Sequence, residues 1–199
     1  MRAFLPLLCS VAIGCGPKKP SSAAPTDFFP LVAGATWTYE GSFNGRSSIE
    51  TRQAMPVQVG GQPAWVFLLE DELGDDVADT FSTMIGLGAY RRTRGGLESA
   101  DLTWRSDLHQ LSLDDFHPML TLPPVVGARE EAVTRSVDRA GGWTVSAIED
   151  VTVPAGAFTG CARLDLGQGS QAWLCPGVGL VKWVFVTGRV EELVAWQIP

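Results

Sequence analysis

The stretch Thr36-Trp-Thr-Tyr-Glu-Gly-Ser-Phe-Asn-Gly45 decides the fold class of this chain. Trp37, Tyr39 and Phe43 fall on one side of an extended strand, and mostly polar residues fall on the other. The Asn44-Gly45 dipeptide that follows is the strongest short-range signal of a β-hairpin. The partner strand is expected over residues 46–54.

Short alternating segments continue along the rest of the chain, separated by glycine-rich turns. Their spacing predicts an all-β domain, a single antiparallel curved sheet that forms a half-barrel or barrel, with a sandwich as the alternative. The region 101–124 is the least regular, and any minor helix is expected there or at 27–32. Further strands are predicted at residues 63–70, 79–85, 89–94, 130–137, 143–153, 158–166, 171–175, 179–187 and 189–197.

The N-terminus has the layout of an export signal. Arg2 is followed by an apolar run that ends in small residues immediately before Cys15. This run is too short to cross a bilayer, which takes about 20 residues. It resembles the signal peptide of a bacterial lipoprotein, with Ala12-Ile13-Gly14-Cys15 as the lipobox. The resemblance implies cleavage before Cys15 and attachment of lipid, palmitate included, to that cysteine.

Three segments are therefore expected. Residues 1–14 are a lipoprotein signal peptide, 15–26 are the lipidated cysteine with a flexible tether, and 27–199 are a β-rich globular domain. An ordinary secreted protein, or a buried apolar N-terminus, is the alternative. The residue after the cysteine is Gly16 and not Asp, which resembles the sorting pattern of outer-membrane lipoproteins. The resemblance implies a lipid-anchored protein of the outer membrane that faces the periplasm.

The remaining cysteines suit an exported protein. Cys9 lies inside the signal and Cys15 is assigned to lipid, which leaves Cys161 and Cys175 as a pair. In that compartment such a pair indicates a disulfide, here across two successive predicted strands. Two buried free thiols are the alternative.

Charge argues against some partners. Without residues 1–14 the chain holds 14 basic and 22 acidic residues, a net charge of −8. An acidic protein is a poor candidate for binding nucleic acid or an anionic membrane surface. The expected membrane partner is therefore reached through the N-terminal lipid.

Two stretches carry a resemblance to a family of uncharacterised bacterial lipoproteins and secreted proteins. They contain the motifs Val153-Pro-Ala-Gly-Ala-Phe158 and Pro176-Gly-Val-Gly-Leu-Val-Lys182, and the segment Phe28–Tyr39 is similar to the start of the mature domain in that family. The resemblance implies a curved antiparallel sheet distantly similar to periplasmic lipoprotein carriers. It implies no chemistry.

Motifs of catalysis and metal binding are missing from the sequence, so no catalytic residue, metal ligand or cofactor is predicted. His109 and His117 lie near several aspartates, but their spacing matches no common ligand set. The acidic run from Glu70 to Asp79 lacks the alternation of a calcium loop and predicts a solvated turn.

Tryptophan is the remaining feature that could carry function. The seven side chains either fill a β core or line a curved sheet that holds an apolar or amphiphilic ligand. We expect a non-enzymatic, membrane-anchored lipoprotein that binds an envelope partner or an amphiphile. An envelope hydrolase with a dispersed active site and a structural scaffold component are the alternatives. The tryptophans are Trp37, Trp65, Trp104, Trp143, Trp173, Trp183 and Trp196.

Overall fold

The computed structural model describes residues 27–71, 88–101, 111–130 and 142–199, with the backbone alone at 69–71 and 101. The described residues form twelve β-strands. The helical element among these residues is one 3-10 turn at Leu113–Asp115. The strands are β1 Thr36–Phe43, β2 Arg46–Val59, β3 Gln62–Asp71, β4 Gly88–Arg92, β5 Gly96–Asp101, β6 His117–Thr121, β7 Arg129–Glu130, β8 Trp143–Val153, β9 Gly156–Asp165, β10 Gln171–Cys175, β11 Gly179–Val184 and β12 Val190–Gln197.

All twelve strands belong to one antiparallel sheet in the order β6-β5-β4-β3-β2-β1-β12-β11-β10-β9-β8-β7. Every strand pairs with its neighbour in sequence except β6 with β7, and β1 pairs with β12. The sheet therefore curls into a barrel that is nearly closed, with one seam between β6 and β7. Across that seam the Thr121 Oγ1 hydroxyl donates to Glu130 Oε1 at 2.6 Å. The prediction of an antiparallel curved sheet is confirmed.

The opening hairpin forms as its sequence predicts. Asn44 and Gly45 have φ angles of 49° and 75°, the left-handed pair that a two-residue turn between twisted strands requires. β2 runs to Val59, five residues beyond the predicted end. β1 pairs with β2 only as far as Gln53. Pro56 is therefore accommodated in β2, because no strand on that side needs a hydrogen bond from its missing N–H.

Aromatic and aliphatic side chains fill the interior. The main core joins the N-terminal Phe28 and Phe29 to the inward face of strands from both halves of the barrel. A second, smaller core lies on the outer face of β2–β5, where Leu111 and Phe116 pack over Val59 and Val66. This outer core explains why β2 buries residues of both faces along its length.

The irregular region 101–124 needs correction, because it contains the end of β5 and the whole of β6. Both strands were missed. Gly96 has a φ of 152° and interrupts the alternation at the start of β5, and Pro118 argues against a strand within β6. β6 tolerates that proline because it is the edge strand at the seam. The strand predicted at 79–85 lies outside the described residues. So do residues 131–137 of the strand predicted at 130–137.

The disulfide between Cys161 and Cys175 is present, with a Cα–Cα distance of 4.1 Å. Leu174 of β10 pairs with Ala162 of β9, so the two cysteines occupy the next position of the ladder. The bond therefore staples two adjacent strands, as predicted, and both cysteines are completely buried.

Candidate functional site

The most unusual feature of the interior is a buried arginine. Arg52 lies on the inward face of β2 and is 1% exposed. Its Nε forms an ion pair with Glu50, and its Nη2 donates to Glu191 Oε2 at 3.0 Å. The guanidinium carbon lies 4.4 Å from the centre of the Tyr39 ring, a cation–π contact.

A second arginine completes this cluster, which we call the interior charge cluster: Glu50, Arg52, Arg189 and Glu191. Arg189 Nη2 lies 2.8 Å from Glu191 Oε1, so two cations and two anions balance. Gly41 makes room for them, because a Cβ there would lie 2.7 Å from the Ser48 hydroxyl and 3.0 Å from Arg189 Nη2.

Burial and charge act against each other in this cluster. Burial raises the pKa of Glu191, and the Arg52 and Arg189 cations only partly oppose it. Burial alone would lower the pKa of Arg52, but the Glu50 and Glu191 carboxylates outweigh it and raise that pKa. Burial also raises the pKa of Tyr39. Arg52 is therefore a permanent cation, and Tyr39 keeps its proton.

A small cavity adjoins Arg52. Its volume is about 10 Å³, room for one water-sized group. The Nη1 atom of Arg52 is buried and has no hydrogen-bond partner among the described residues. The cavity is lined by Phe29, Pro30, Trp37, Tyr39, Arg52, Phe67, Gly179 and Leu180.

Two long-range hydrogen bonds fix the aromatic wall of the cavity. Trp37 Nε1 donates to the Val178 carbonyl oxygen at 2.6 Å, and the Tyr39 hydroxyl donates to the Leu180 carbonyl oxygen at 2.9 Å. Both side chains are thereby held against β11 and the turn before it. The wall is rigid because its polar atoms are already paired.

The N-terminal segment Asp27–Val32 covers the cavity. Gly177 N–H donates to the Asp27 carbonyl oxygen at 2.6 Å, and Arg92 Nη2 donates to Asp27 Oδ1 at 2.5 Å and to the Phe29 carbonyl oxygen at 2.6 Å. The Phe29 ring packs against Tyr90 at a centroid distance of 5.3 Å. The segment thus lies over the cavity, where Phe29 and Pro30 form part of its lining.

The chemistry available at the cavity is narrow. None of the residues that line it is Ser, Cys, His or Lys, and neither a charged arginine nor a protonated tyrosine acts as a nucleophile or base. Arg52 Nη1 can donate to an acceptor, such as a carboxylate or a polar oxygen. The arrangement is suited to holding such a group and offers no nucleophile for hydrolysis.

The residues that the sequence analysis singled out are described only in part. Cys15 lies outside the described residues, as do His109 and most of the acidic run. His117 begins β6, and Asp115 accepts hydrogen bonds from the backbone and hydroxyl of Ser112. Within the described ranges, no group of three or more His, Cys, Asp or Glu is placed to hold a metal ion.

The tryptophans belong to the core. Four of them are buried in the main cluster and two pack against it partly exposed, while Trp104 lies outside the described residues. Trp183 stacks on Phe185 with 5.1 Å between ring centres. Trp183 belongs to the same core as Trp37 and Tyr39, and Phe185 packs against that core. The buried four are Trp37, Trp143, Trp173 and Trp183, and the partly exposed two are Trp65 and Trp196.

Sequence analysis missed the interior charge cluster, although a signal for Arg52 was present. The hairpin register pairs Trp37 with Arg52 and Tyr39 with Glu50. Cross-strand partners share a face, so an inward-facing Trp37 brings Arg52 inward as well. Arg189 and Glu191 could not be placed in this way, because no turn sequence fixes the β1–β12 register.

Comparison with known protein families and with curated proteins gives no match. Among solved structures, the chain overlaps a candidate lipoprotein from Parabacteroides distasonis ATCC 8503 with a TM-score of 0.37 and 13% identity, over 88% of this chain and 100% of that one. An overlap at this TM-score carries no argument about function.

Proposed function

We propose that the protein is a lipoprotein of the bacterial cell envelope, anchored through Cys15, whose barrel binds an envelope partner through its outer surface. The anchor is supported by the sequence from Arg2 to Cys15. Gly16 favours the outer membrane, with the domain facing the periplasm. Within the described residues, no helix is long and apolar enough to cross a membrane.

The observation that carries the mode of action is how little free space adjoins Arg52. The cavity beside Arg52 holds one water-sized group, whereas the pockets that bind small organic ligands measure about 300 to 1,000 Å³. An acyl chain has no room in that space. Binding through the outer surface is therefore the function that the geometry supports best.

Binding of an amphiphile is a second candidate, and Arg52 favours it. An unpaired Nη1 beside aromatic rings would suit the carboxylate of a fatty acid, provided that the segment Asp27–Val32 moved away. Arg92 holds that segment in place.

Titration with a fluorescent fatty acid distinguishes the two candidates. We expect the full-length protein to show no saturable binding, because the cavity beside Arg52 is too small for an acyl chain. Saturable binding of one probe per chain would favour the amphiphile instead. In that case Arg92→Met, which frees the segment, would raise the affinity, and Arg52→Lys would lower it.

The lipid anchor has its own test. Replacing Cys15 by serine removes the sulfur that lipid attachment requires, so we expect incorporation of labelled palmitate to be lost. Cys9→Ser is the matched control, because Cys9 lies in the expected signal, and it should label like the wild type. Equal labelling of the Cys15→Ser variant and the wild type would contradict the anchor.

A further inference from the structure

The described chain starts at one of the two ends of the barrel. Because every neighbouring pair of strands is antiparallel, β1 begins and β12 ends at the same end, which we call the anchor end. The described turns at this end are residues 60–61, 93–95, 122–128, 154–155 and 176–178.

The described chain begins at the anchor end and is fixed there. Asp27 and Phe29 are held by Arg92 at the end of β4 and by Gly177 in the β10–β11 turn. Eleven residues separate Cys15 from Asp27, and fully extended they reach at most about 40 Å. A lipid on Cys15 is therefore attached to this end of the barrel.

Two adjacent valines are exposed at the same end. Val125 and Val126 are 60% and 56% exposed, in the segment Leu122-Pro-Pro-Val-Val-Gly-Ala128, which has no charged residue. Ala128 N–H donates to the Val125 carbonyl oxygen at 2.9 Å, and Gly127 N–H donates to the Val145 carbonyl oxygen at 2.8 Å. The backbone of this turn is thus held in place while its valine side chains face outward.

This valine turn lies close to the start of the described chain. Leu122 N–H donates to the Gly95 carbonyl oxygen at 3.3 Å, and Gly95 lies in the turn that directly follows Arg92. One chain of contacts therefore connects Asp27, Arg92, the β4–β5 turn and the valine turn.

One acidic side chain of the N-terminal segment lies at the anchor end, Asp27, and it is paired with Arg92. The described turns of the anchor end contain no Asp or Glu, and the β4–β5 turn contributes Arg94. Asp114 and Asp115 approach this end only on the outer wall, where Leu113 lies beside Gly60.

We propose that the anchor end rests on the bilayer, with Val125 and Val126 inserted at the lipid interface. This proposal depends on the lipid anchor of the proposed function and adds which end faces the membrane. Exposed aliphatic side chains favour the interface because contact with lipid removes them from water. The acid-free turns let the surface approach anionic headgroups despite the negative net charge of the chain.

Site-specific labelling of the full-length lipidated protein tests the proposal. Val126→Cys and Val186→Cys are each labelled with the environment-sensitive dye NBD. Val186 is the matched control, a valine 60% exposed in the β11–β12 turn at the other end. The native disulfide leaves Cys161 and Cys175 without free thiols. The proteins are bound to vesicles of phosphatidylethanolamine and phosphatidylglycerol, with and without nitroxide-labelled lipid.

We expect nitroxide lipid to quench the dye at position 126, with a blue shift of its emission, and to leave the dye at 186 unchanged. Co-flotation with vesicles reports the anchor separately. Flotation with equal quenching at the two positions, or with more at 186, overturns the orientation while the anchor stands. Failure to float overturns both. Should the label at 126 perturb the turn, the Val125→Cys variant gives the same comparison.

Discussion

Replacing Arg52 by methionine is expected to lower the free energy of unfolding by about 3 to 5 kcal/mol, the usual cost of breaking a buried ion pair from one side. The substitution keeps a long apolar stem but leaves Glu191 in the interior with Arg189 alone. Urea denaturation of the purified domain measures the loss. In a domain of this size, it corresponds to a fall in melting temperature of roughly 10 °C.

Two variants control the Arg52 experiment. Arg163→Met makes the same substitution at a half-exposed pair, 3.4 Å from Glu149, and should cost no more than about 1 kcal/mol. The double variant Arg52→Met with Glu191→Gln removes both charges, keeps an amide oxygen beside Arg189, and should recover part of the loss. If Arg52→Met and Arg163→Met prove equally mild, the interior charge cluster does not contribute to stability as we infer.

The loss at Arg52 should also depend on pH. Without that cation, the pKa of Glu191 rises further above its unfolded value, so folding of the variant takes up a proton. Protonated Glu191 is tolerated in the interior, and this stability is lost as the pH rises through the folded pKa. The destabilisation by Arg52→Met should therefore be larger at pH 8 than at pH 5. The opposite trend would contradict the burial of Glu191.

Replacing Trp37 by alanine should cost about 3 to 5 kcal/mol, because its ring is 4% exposed in the centre of a closed core. The variant also leaves the buried Val178 carbonyl oxygen without its donor. Trp196→Ala is the matched control: this partly exposed residue pairs with Trp37 across β1 and β12 and should cost less.

A small loss for Trp37→Ala, together with altered uptake of a fluorescent fatty acid, would have a different meaning. It would show that the aromatic wall lines an open groove that tolerates truncation. The proposed binding through the outer surface alone would then be wrong.

The fold was predictable wherever local chemistry and tertiary structure agree. Asn44-Gly45 sets both the turn and the register of β1 with β2, so the hairpin and the inward face of Trp37 follow directly. β6 was missed because a proline is acceptable only on an edge strand, and position within the sheet is not local information.

The interior charge cluster shows the same limit. Arg52 could be placed from the hairpin register. Glu191 and Arg189, which complete the cluster, are more than 130 residues later in the sequence, at the start of β12 and in the turn before it. Their meeting depends on closure of the barrel, which the sequence implies without fixing the register. The proposed lipid anchor, in contrast, depends on one short contiguous segment from Arg2 to Cys15.

Thr36 pairs with Gln197, so β1 cannot complete its hydrogen bonding until β12 is present. During synthesis, β1 can pair only with β2 until β12 has been made. Sheet closure of this kind joins residues very distant in sequence, which slows folding and leaves strand edges exposed meanwhile. A chain cut short before β12 would keep two unpaired edges, on β1 and β11, and would be prone to aggregate.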